Sequence, residues 1–209
     1  MELTLHDYWR SSSAYRVRIA MNLKGVDYRG VEVDLLQQEQ RGDAYAGVNA
    51  QKMVPALEVN GQIITQSLAI IEWLDRTFPE PALIPADPLE RARVLALTQI
   101  IVADIQPLQN LRVQKYLRAA FAASDDQVNG WTRHWITEGL QALESAAPDE
   151  GFFGGAAPNL VDIVLVPQMY NARRYGVDLA AIPRLVRIDG EARAIDAIAQ
   201  AAPEAIRPA

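Results

Sequence analysis

The segment "PEPALIPADP", residues 79–88, constrains the fold more than any other part of this sequence. It contains Pro79, Pro81, Pro85 and Pro88. A proline inside a helix removes a backbone donor and clashes with the preceding turn, so no helix can run through the segment. The residues before and after it must therefore form separate sets of elements, and the segment is predicted to be a linker.

The residues before the linker follow strand and helix patterns in turn. Residues 3–7 alternate like a strand, and Tyr15, Ile19 and Leu23 then recur at the spacing of one helix face. Residues 28–35 have the alternation of a second strand. Residues 36–50 are polar and irregular, with room for a short helix.

A β-hairpin is predicted over residues 54–65, because Asn60 and Gly61 separate two short apolar runs. An Asn-Gly pair suits the two-residue type I′ turn, which needs a left-handed backbone at both positions. A helical pattern follows the hairpin, and Ser67 is predicted to cap that helix. The N-terminal part is thus expected to be a small α/β unit.

Beyond the linker the apolar spacing is helical nearly to the end of the chain. We expect helices over 88–120, 125–146, 159–175 and 185–200, with kinks or turns at Pro107 and Pro167. Asn159, followed three residues later by Asp162, is a variant of the capping box. The predicted organisation is an α/β domain over 1–80, a linker over 81–87 and an all-helical domain over 88–209.

Composition excludes several kinds of chemistry. The chain has no cysteine, which rules out disulfides, zinc–thiolate sites and a cysteine nucleophile, so any thiol must come from a ligand. Two histidines far apart predict no metal site, and a net charge of −6 disfavours a nucleic-acid partner. No apolar run is long enough for a membrane span, and the N-terminus lacks a signal-peptide pattern, so we expect a cytoplasmic protein.

Two predicted helix starts could bind an anion. Both offer hydroxyl groups, free N–H groups and the positive end of a helix dipole, which can stabilise a thiolate, carboxylate or phosphate. Plain helix capping is the commoner reason for such residues. The two helix starts are Ser11-Ser12-Ser13 and Gln66-Ser67.

The Val54-Pro55 bond also allows two explanations. A cis bond would expose the Val54 backbone to a ligand, whereas the alternative is an edge-strand proline.

Arginines form the third set of candidates. Arg10, Arg112 and Arg174 come from separate segments, and arginine binds carboxylates in bidentate fashion, so together they would suit a dianionic substrate. For each of them, an ordinary surface charge is the commoner explanation. Arg16 and Arg18 lie in the first predicted helix, and at least one is expected to form a structural ion pair, for example with an acid of the other domain or another subunit.

The order of these motifs resembles that of the cytosolic glutathione transferases over essentially the whole chain. Residues 11–20, "SSSAYRVRIA", resemble the Ser-Ser-Cys-x-x-Arg-Val-Arg-Ile-Ala signature of the zeta class, the maleylacetoacetate isomerases. "QSLAIIEWL", "QPLQNLRV", "LVPQ" and "ARRYGVDL" also resemble segments of that class. The resemblance implies a thioredoxin-like glutathione-binding α/β domain followed by an all-α substrate-binding domain.

The resemblance also implies roles for individual residues. Ser11, assisted by Ser12, would activate the thiol of glutathione, and the Val54 backbone beside a cis Pro55 would pair with its cysteinyl part. Arg10 would act on the substrate next to this centre. The remaining residues implied to contact glutathione are Ser13, Gln66, Ser67, Gln106 and Asn110, and those implied to hold substrate carboxylates are Arg10, Arg112 and Arg174.

The implied activity is glutathione-dependent cis–trans isomerisation of maleylacetoacetate to fumarylacetoacetate in tyrosine and phenylalanine breakdown. The thiolate would add reversibly to the cis double bond of this small dicarboxylic substrate, and the enzyme would be a homodimer. Maleylpyruvate isomerisation is the close alternative, because Ser13 replaces the signature cysteine and Arg112 is typical of the maleylpyruvate isomerases. A transferase that conjugates or dehalogenates α-haloacids is a further alternative, as is a binding module without chemistry.

Overall fold

The computed structural model describes residues 1–207, which form two compact units. The first unit combines residues 1–83 with residues 194–207, and the second unit is Ile84–Arg193. The C-terminal segment, residues 194–207, therefore packs with the N-terminal residues, although the sequence placed it in the helical domain. No helix within residues 1–207 is long and apolar enough to cross a membrane.

A four-stranded mixed sheet is the centre of the first unit. The strands lie in the order β2-β1-β3-β4, with β2 parallel to β1 and the other neighbours antiparallel. Helices α1 and α3 pack against each other, and α1 is buried over most of its length. In chain order the elements are β1 (Leu3–Asp7), α1 (Ser12–Leu23), β2 (Arg29–Glu32), α2 (Asp43–Val48), β3 (Ala56–Val59), β4 (Gln62–Thr65) and α3 (Ser67–Thr77).

The predicted hairpin is confirmed. Asn60 and Gly61 have φ angles of 47° and 84°, the left-handed pair that a type I′ turn needs. Strand β3 begins at Ala56, two residues later than expected, because Pro55 has no N–H to donate to the ladder. The strand before the hairpin, β2, is also shorter than predicted, since the Asp34 side chain accepts the N–H of Leu36 at 2.7 Å and turns the chain away.

The second unit is entirely helical, and the predicted helix over 88–120 is broken in two places. A π-helical segment, Ile100–Ile105, comes just before Pro107, which cannot donate the next helical hydrogen bond. Asn110 has an extended backbone with ψ of 144° and separates the next two helices. The elements are α4 (Pro88–Gln99), the π-helical segment, α5 (Gln106–Gln109), α6 (Leu111–Phe121), α7 (Asp125–Glu144), α8 (Leu160–Arg174) and α9 (Pro183–Arg193).

Helix α8 is buried along most of its length and begins at the predicted capping box. The Asn159 side chain accepts the Val161 N–H at 2.8 Å, and the Asp162 carboxylate accepts the Asn159 N–H at 2.9 Å. Two more backbone N–H groups, from Phe153 and Gly154, also donate to Asp162. Burial raises the pKa of Asp162 to about 6, and these donors oppose the rise. Asp162 therefore has the structural role that was expected of it.

The C-terminal segment forms α10 (Asp196–Gln200) and α11 (Pro203–Ile206), which pack on the first unit. Asn22 of α1 donates to the Ala197 carbonyl at 2.9 Å, and Arg18 Nε donates to the Ala201 carbonyl at 3.0 Å. These polar contacts and the α1–α10 packing explain why the segment leaves the helical unit. The helix expected over 185–200 ends at Arg193.

Arg18 is the structural arginine expected from the sequence, but its partner lies in its own unit. Its Nη1 donates to Asp7 Oδ2 at 2.6 Å, and its Nη2 donates to the Trp9 carbonyl at 3.0 Å. Burial raises the pKa of Asp7, and the charge and hydrogen bond of Arg18 act against that rise. The side chain thus ties the end of β1, the loop after it and the C-terminal segment together.

We expect Arg18→Met to lower the free energy of unfolding by about 3–5 kcal/mol, because it leaves the buried Asp7 carboxylate without its partner. Urea unfolding at neutral pH measures the change. Arg76→Met is the matched control, since Arg76 is exposed and its pair with Glu72 should contribute about 0.5 kcal/mol or less. Equal losses in the two variants would contradict this role for Arg18.

Candidate active site

The loop after β1 places a serine hydroxyl at the start of α1. Ser11 is the N-cap residue, and its Oγ accepts the Ala14 N–H at 3.3 Å. Its own N–H donates to the Tyr8 carbonyl at 2.8 Å, which holds the turn. A hydroxyl that accepts a hydrogen bond still has its hydrogen to donate. Capping and ligand binding by Ser11 are therefore compatible, and the cap holds Oγ in place.

Ser12 and Ser13 are the first two residues of α1, and both are half-buried. The N–H groups of a first helical turn have no acceptor within the helix. The first turn of α1 contains no acidic residue, so no side chain of that turn neutralises the positive end of the dipole. The start of α1 is consequently suited to a negatively charged atom.

Arg10 lies directly before this helix start. Its guanidinium carbon is 5.2 Å from the centre of the Trp9 ring, and that of Arg207 is at the same distance. Such stacking holds a cation without neutralising it. Arg10 has no carboxylate partner within residues 1–207, and its charge remains available to a ligand.

The bond between Val54 and Pro55 is cis, as the resemblance implies. The preceding carbonyl, that of Met53, accepts the Tyr45 hydroxyl and Asn49 Nδ2, each at 2.7 Å. Within residues 1–207, neither the N–H nor the C=O of Val54 takes part in a hydrogen bond, so both remain available to a ligand. The roles of Tyr45 and Asn49 could not be predicted from the sequence, where their four-residue spacing in a polar stretch is the only signal.

The start of α3 differs from what was predicted. Gln66, not Ser67, occupies the N-cap position, with φ of 72° and no side-chain cap, so the prediction of Ser67 as the cap was wrong. Ser67 is the first helical residue and is buried, and its Oγ accepts Nη1 of Arg16 at 3.4 Å instead of an N–H of its own helix. Gln66 is exposed and donates to Gln51 Oε1 at 2.8 Å.

Arg16 reaches Ser67 from inside the unit. Only 1% of the residue is exposed, and its Nε and Nη2 have no hydrogen-bond partner among the described residues. Burial lowers its pKa to about 10, so the guanidinium still carries its charge at neutral pH. A buried positive charge therefore lies on the interior side of the start of α3.

The sheet register brings these three segments to one edge of the sheet. His6 of β1 lies opposite Ala56 of β3, and Ala56 lies opposite Thr65 of β4. The Ser11 loop follows β1, Val54 comes just before β3, and Gln66 follows β4. The three positions that the sequence proposed independently therefore share one end of the first unit.

In the helical unit, Gln106 begins α5 and Asn110 caps α6. The Asn110 side chain accepts the Arg112 N–H at 3.0 Å, which places the exposed Arg112 in the first turn of α6. No group of three or more His, Asp or Glu side chains that could hold a metal ion occurs in residues 1–207.

The two arginines at the end of α8 differ in role. Arg173 pairs with the buried Asp189 at 2.5 Å and is structural. Arg174 is exposed and stacks on Tyr175, with its guanidinium carbon 5.2 Å from the ring centre. Arg174 forms no ion pair within residues 1–207, so no carboxylate of the described chain neutralises its charge.

Three hydrogen bonds join the segment that carries Gln106, Asn110 and Arg112 to helix α8. Gln114 Nε2 donates to the Tyr175 hydroxyl at 2.8 Å, Gln109 Nε2 donates to Gln168 Oε1 at 2.7 Å, and Gln168 Nε2 donates to Gln109 Oε1 at 3.3 Å. Glutamines in a helical pattern gave no sign of these partners in the sequence. The bonds fix the elements from which the candidate substrate arginines project.

Comparison with known proteins gives the family. Residues 10–77 match the family model of the glutathione S-transferase N-terminal domain. Over 99% of both chains, the sequence is 45% identical to the maleylacetoacetate isomerase of Rhizobium meliloti.

Two solved structures agree in fold. A holo structure of maleyl pyruvate isomerase, a bacterial zeta-class glutathione S-transferase, has a TM-score of 0.94 and 42% identity, and covers 99% of both chains. A maleylacetoacetate isomerase from Anaeromyxobacter dehalogenans, with bound dicarboxyethyl glutathione and citrate, has a TM-score of 0.87 and 43% identity, and covers 100% of this chain and 97% of its own. The predicted fold class is confirmed, and this chain belongs to the zeta class of glutathione S-transferases, the family of the maleylacetoacetate and maleylpyruvate isomerases.

Proposed function

We propose that this protein is a glutathione-dependent cis–trans isomerase that converts maleylacetoacetate to fumarylacetoacetate. The observation that carries the proposal is the Ser11 hydroxyl, held by its cap at the start of α1 with its hydrogen free to donate. That arrangement suits a bound thiolate. The chain has no cysteine of its own, so the thiol must come from the ligand.

The residues of the first unit fit glutathione. Val54 offers a backbone N–H and C=O that can pair with an extended peptide, as an added strand does. Gln66 and Ser67 lie at the start of α3, where N–H groups favour a carboxylate. Ser11 lies at the other helix start on the same sheet edge. We assign the cysteinyl part of glutathione to Val54, its thiol to Ser11 and its γ-glutamyl carboxylate to Gln66 and Ser67.

When bound, glutathione supplies a thiol whose reversible addition to the cis double bond makes that bond single, so that it can rotate. Ser11 donates a hydrogen bond to the sulfur, and with the dipole of α1 it lowers the pKa of the thiol. Ser12 supports the same helix start. Arg10 stabilises the negative charge that develops on the substrate carbonyl oxygen. No nucleophile from the protein is required.

The substrate carboxylates are assigned to Arg112 and Arg174. Both are exposed, neither has a carboxylate partner within residues 1–207, and hydrogen bonds tie their helices together. Gln106 and Asn110 belong to the same segment as Arg112 and are assigned to the ligand as well. The dicarboxyethyl glutathione bound in the Anaeromyxobacter relative supports this assignment, because its name describes a two-carbon unit with two carboxylates attached to glutathione.

Maleylpyruvate is the second candidate substrate. Ser13 stands where the family signature has cysteine, and Arg112 is present, and both features are typical of the maleylpyruvate isomerases.

We further propose that the protein is a cytoplasmic homodimer, as its family membership suggests. Sedimentation of the purified chain measures the oligomeric state.

We expect many molecules of cis diacid to be isomerised per glutathione, with no net loss of thiol, because the thiol is released in every cycle. The decay of enol absorbance for each diacid and titration of the remaining thiol measure the two quantities. Loss of one thiol per turnover would identify a conjugating or dehalogenating transferase. A protein that turns over neither diacid would contradict the isomerase proposal.

We expect Ser11→Ala to lower kcat/KM by about 100-fold, as the loss of one preorganised donor does elsewhere. It should also raise the pKa seen in the acid limb of the pH–rate profile, because the thiolate loses its hydrogen bond. Ser124→Ala is the matched control, since Ser124 caps α7 and its loss should cost about 1 kcal/mol of stability without changing activity. Full activity in Ser11→Ala would show that the helix start alone stabilises the thiolate.

We expect Arg112→Met and Arg174→Met each to raise KM for the diacid by about 10-fold or more, because a charge-assisted hydrogen bond to a carboxylate is lost. Glutathione affinity should be unchanged. Arg133→Met, a change at an exposed arginine of α7, is the control. Unchanged KM in both variants would remove these arginines from the substrate site.

A further inference from the structure

Arg16 is a buried cation that the described chain does not neutralise. Its one hydrogen bond goes to a neutral hydroxyl, Ser67 Oγ, at 3.4 Å. Its Nε and Nη2 are buried without a partner, and it forms no ion pair within residues 1–207. Buried charges are normally paired, because removing a charge from water is unfavourable unless a counter-charge replaces the solvent. Within residues 1–207 the Arg16 guanidinium therefore has one neutral hydrogen-bond partner and no counter-charge.

Arg18, two residues further along α1, shows what a structural arginine looks like in this helix. It is equally buried, at 1% exposure, but it pairs with Asp7 at 2.6 Å and donates to two carbonyl oxygens at 3.0 Å. The same helix can thus satisfy a buried guanidinium completely. Arg16 lacks such partners because of its own surroundings, at the start of α3.

Ser67 connects Arg16 to that helix start. Its Oγ accepts a hydrogen bond from the inner side, so the hydroxyl hydrogen must point in another direction. Ser67 is the first residue of α3, an 11-residue helix without an acidic residue in its first turn. Free N–H groups, a donor hydroxyl and a buried positive charge therefore converge where an anion is favoured.

We propose that Arg16 is a positioning residue whose counter-charge is the ligand carboxylate bound at the start of α3, with Ser67 as the relay between them. The inference rests on the proposed function, in which that carboxylate is the α-carboxylate of the γ-glutamyl group of glutathione. Arg16 orients the Ser67 hydroxyl toward the ligand and supplies the charge that the carboxylate balances. Bound glutathione supplies the counter-charge that the described chain does not provide for Arg16.

Calorimetry with two ligands tests the proposal. The ligands are glutathione and an analogue in which hydrogen replaces the γ-glutamyl α-carboxylate. We expect Arg16→Met to weaken the binding of glutathione by about 10-fold or more and that of the analogue by less than about threefold. Arg16→Lys keeps the charge and should stay within about fivefold of the unchanged protein for glutathione.

Thermal unfolding separates this role from a structural one. Without ligand, Arg16→Met should have the same Tm as the unchanged protein or a higher one, because it removes an uncompensated buried charge. Its rise in Tm at saturating glutathione should be smaller. Arg18→Met is the comparison for a structural arginine and should lower Tm without ligand.

Three results would overturn the inference. Equal losses for the two ligands, or an Arg16→Met protein that fails to fold while Arg16→Lys folds, would show that Arg16 serves the ligand-free fold. Either result leaves glutathione binding by the unchanged protein intact, and so leaves the proposed function standing. An unchanged protein that does not bind glutathione would overturn the proposed function, and this inference with it.

Discussion

The hydrogen bonds of Arg18 hold the first unit together at the point where its site is built. One guanidinium joins the carboxylate that ends β1, the carbonyl of the loop before Ser11 and the C-terminal segment. Each of these groups is buried or half-buried, so each needs a partner that water cannot supply. A single side chain from α1 meets all three needs, and the loop that carries Arg10 and Ser11 is fixed as a result.

The sheet register then decides which residues act together. Ser11, Val54 and Gln66 are far apart in the sequence, yet each follows or precedes a strand at the same edge. Antiparallel pairing of β3 with both of its neighbours produces this arrangement. The three short segments to which we assign the thiol, the peptide unit and the carboxylate of glutathione therefore lie at one end of a small unit.

The features that could be predicted from the sequence depend on residues close to one another in the chain. The Asn60-Gly61 turn and the Asn159–Asp162 capping box depend on residues within a few positions of one another, and both were predicted correctly. The order of strands and helices also followed from spacing alone. The resemblance to the zeta class was the source of the roles proposed for the site residues, which spacing could not provide.

Contacts between distant segments were the part that the sequence did not reveal. Ser67 has the composition of a helix cap, but its hydroxyl turns inward to Arg16, a choice that depends on how α1 packs against α3. The C-terminal segment has an ordinary helical pattern, and it is the packing of α10 on α1, with the hydrogen bonds from Arg18 and Asn22 to its carbonyl groups, that places it on the first unit. Such pairings arise from three-dimensional packing and leave no periodic pattern in the chain.

The anchoring of the Met53 carbonyl by Tyr45 and Asn49 has a thermodynamic consequence. Helix α2 has only six residues, too few to be stable by itself, and Tyr45 packs in one cluster with Val54, Tyr8 and Val33. The Val54 backbone, to which we assign the cysteinyl part of glutathione, is therefore held by one of the elements least able to stay folded alone. A ligand bound to Val54 suppresses local unfolding of α2 by mass action. Part of its binding free energy therefore stabilises the folded form of this helix.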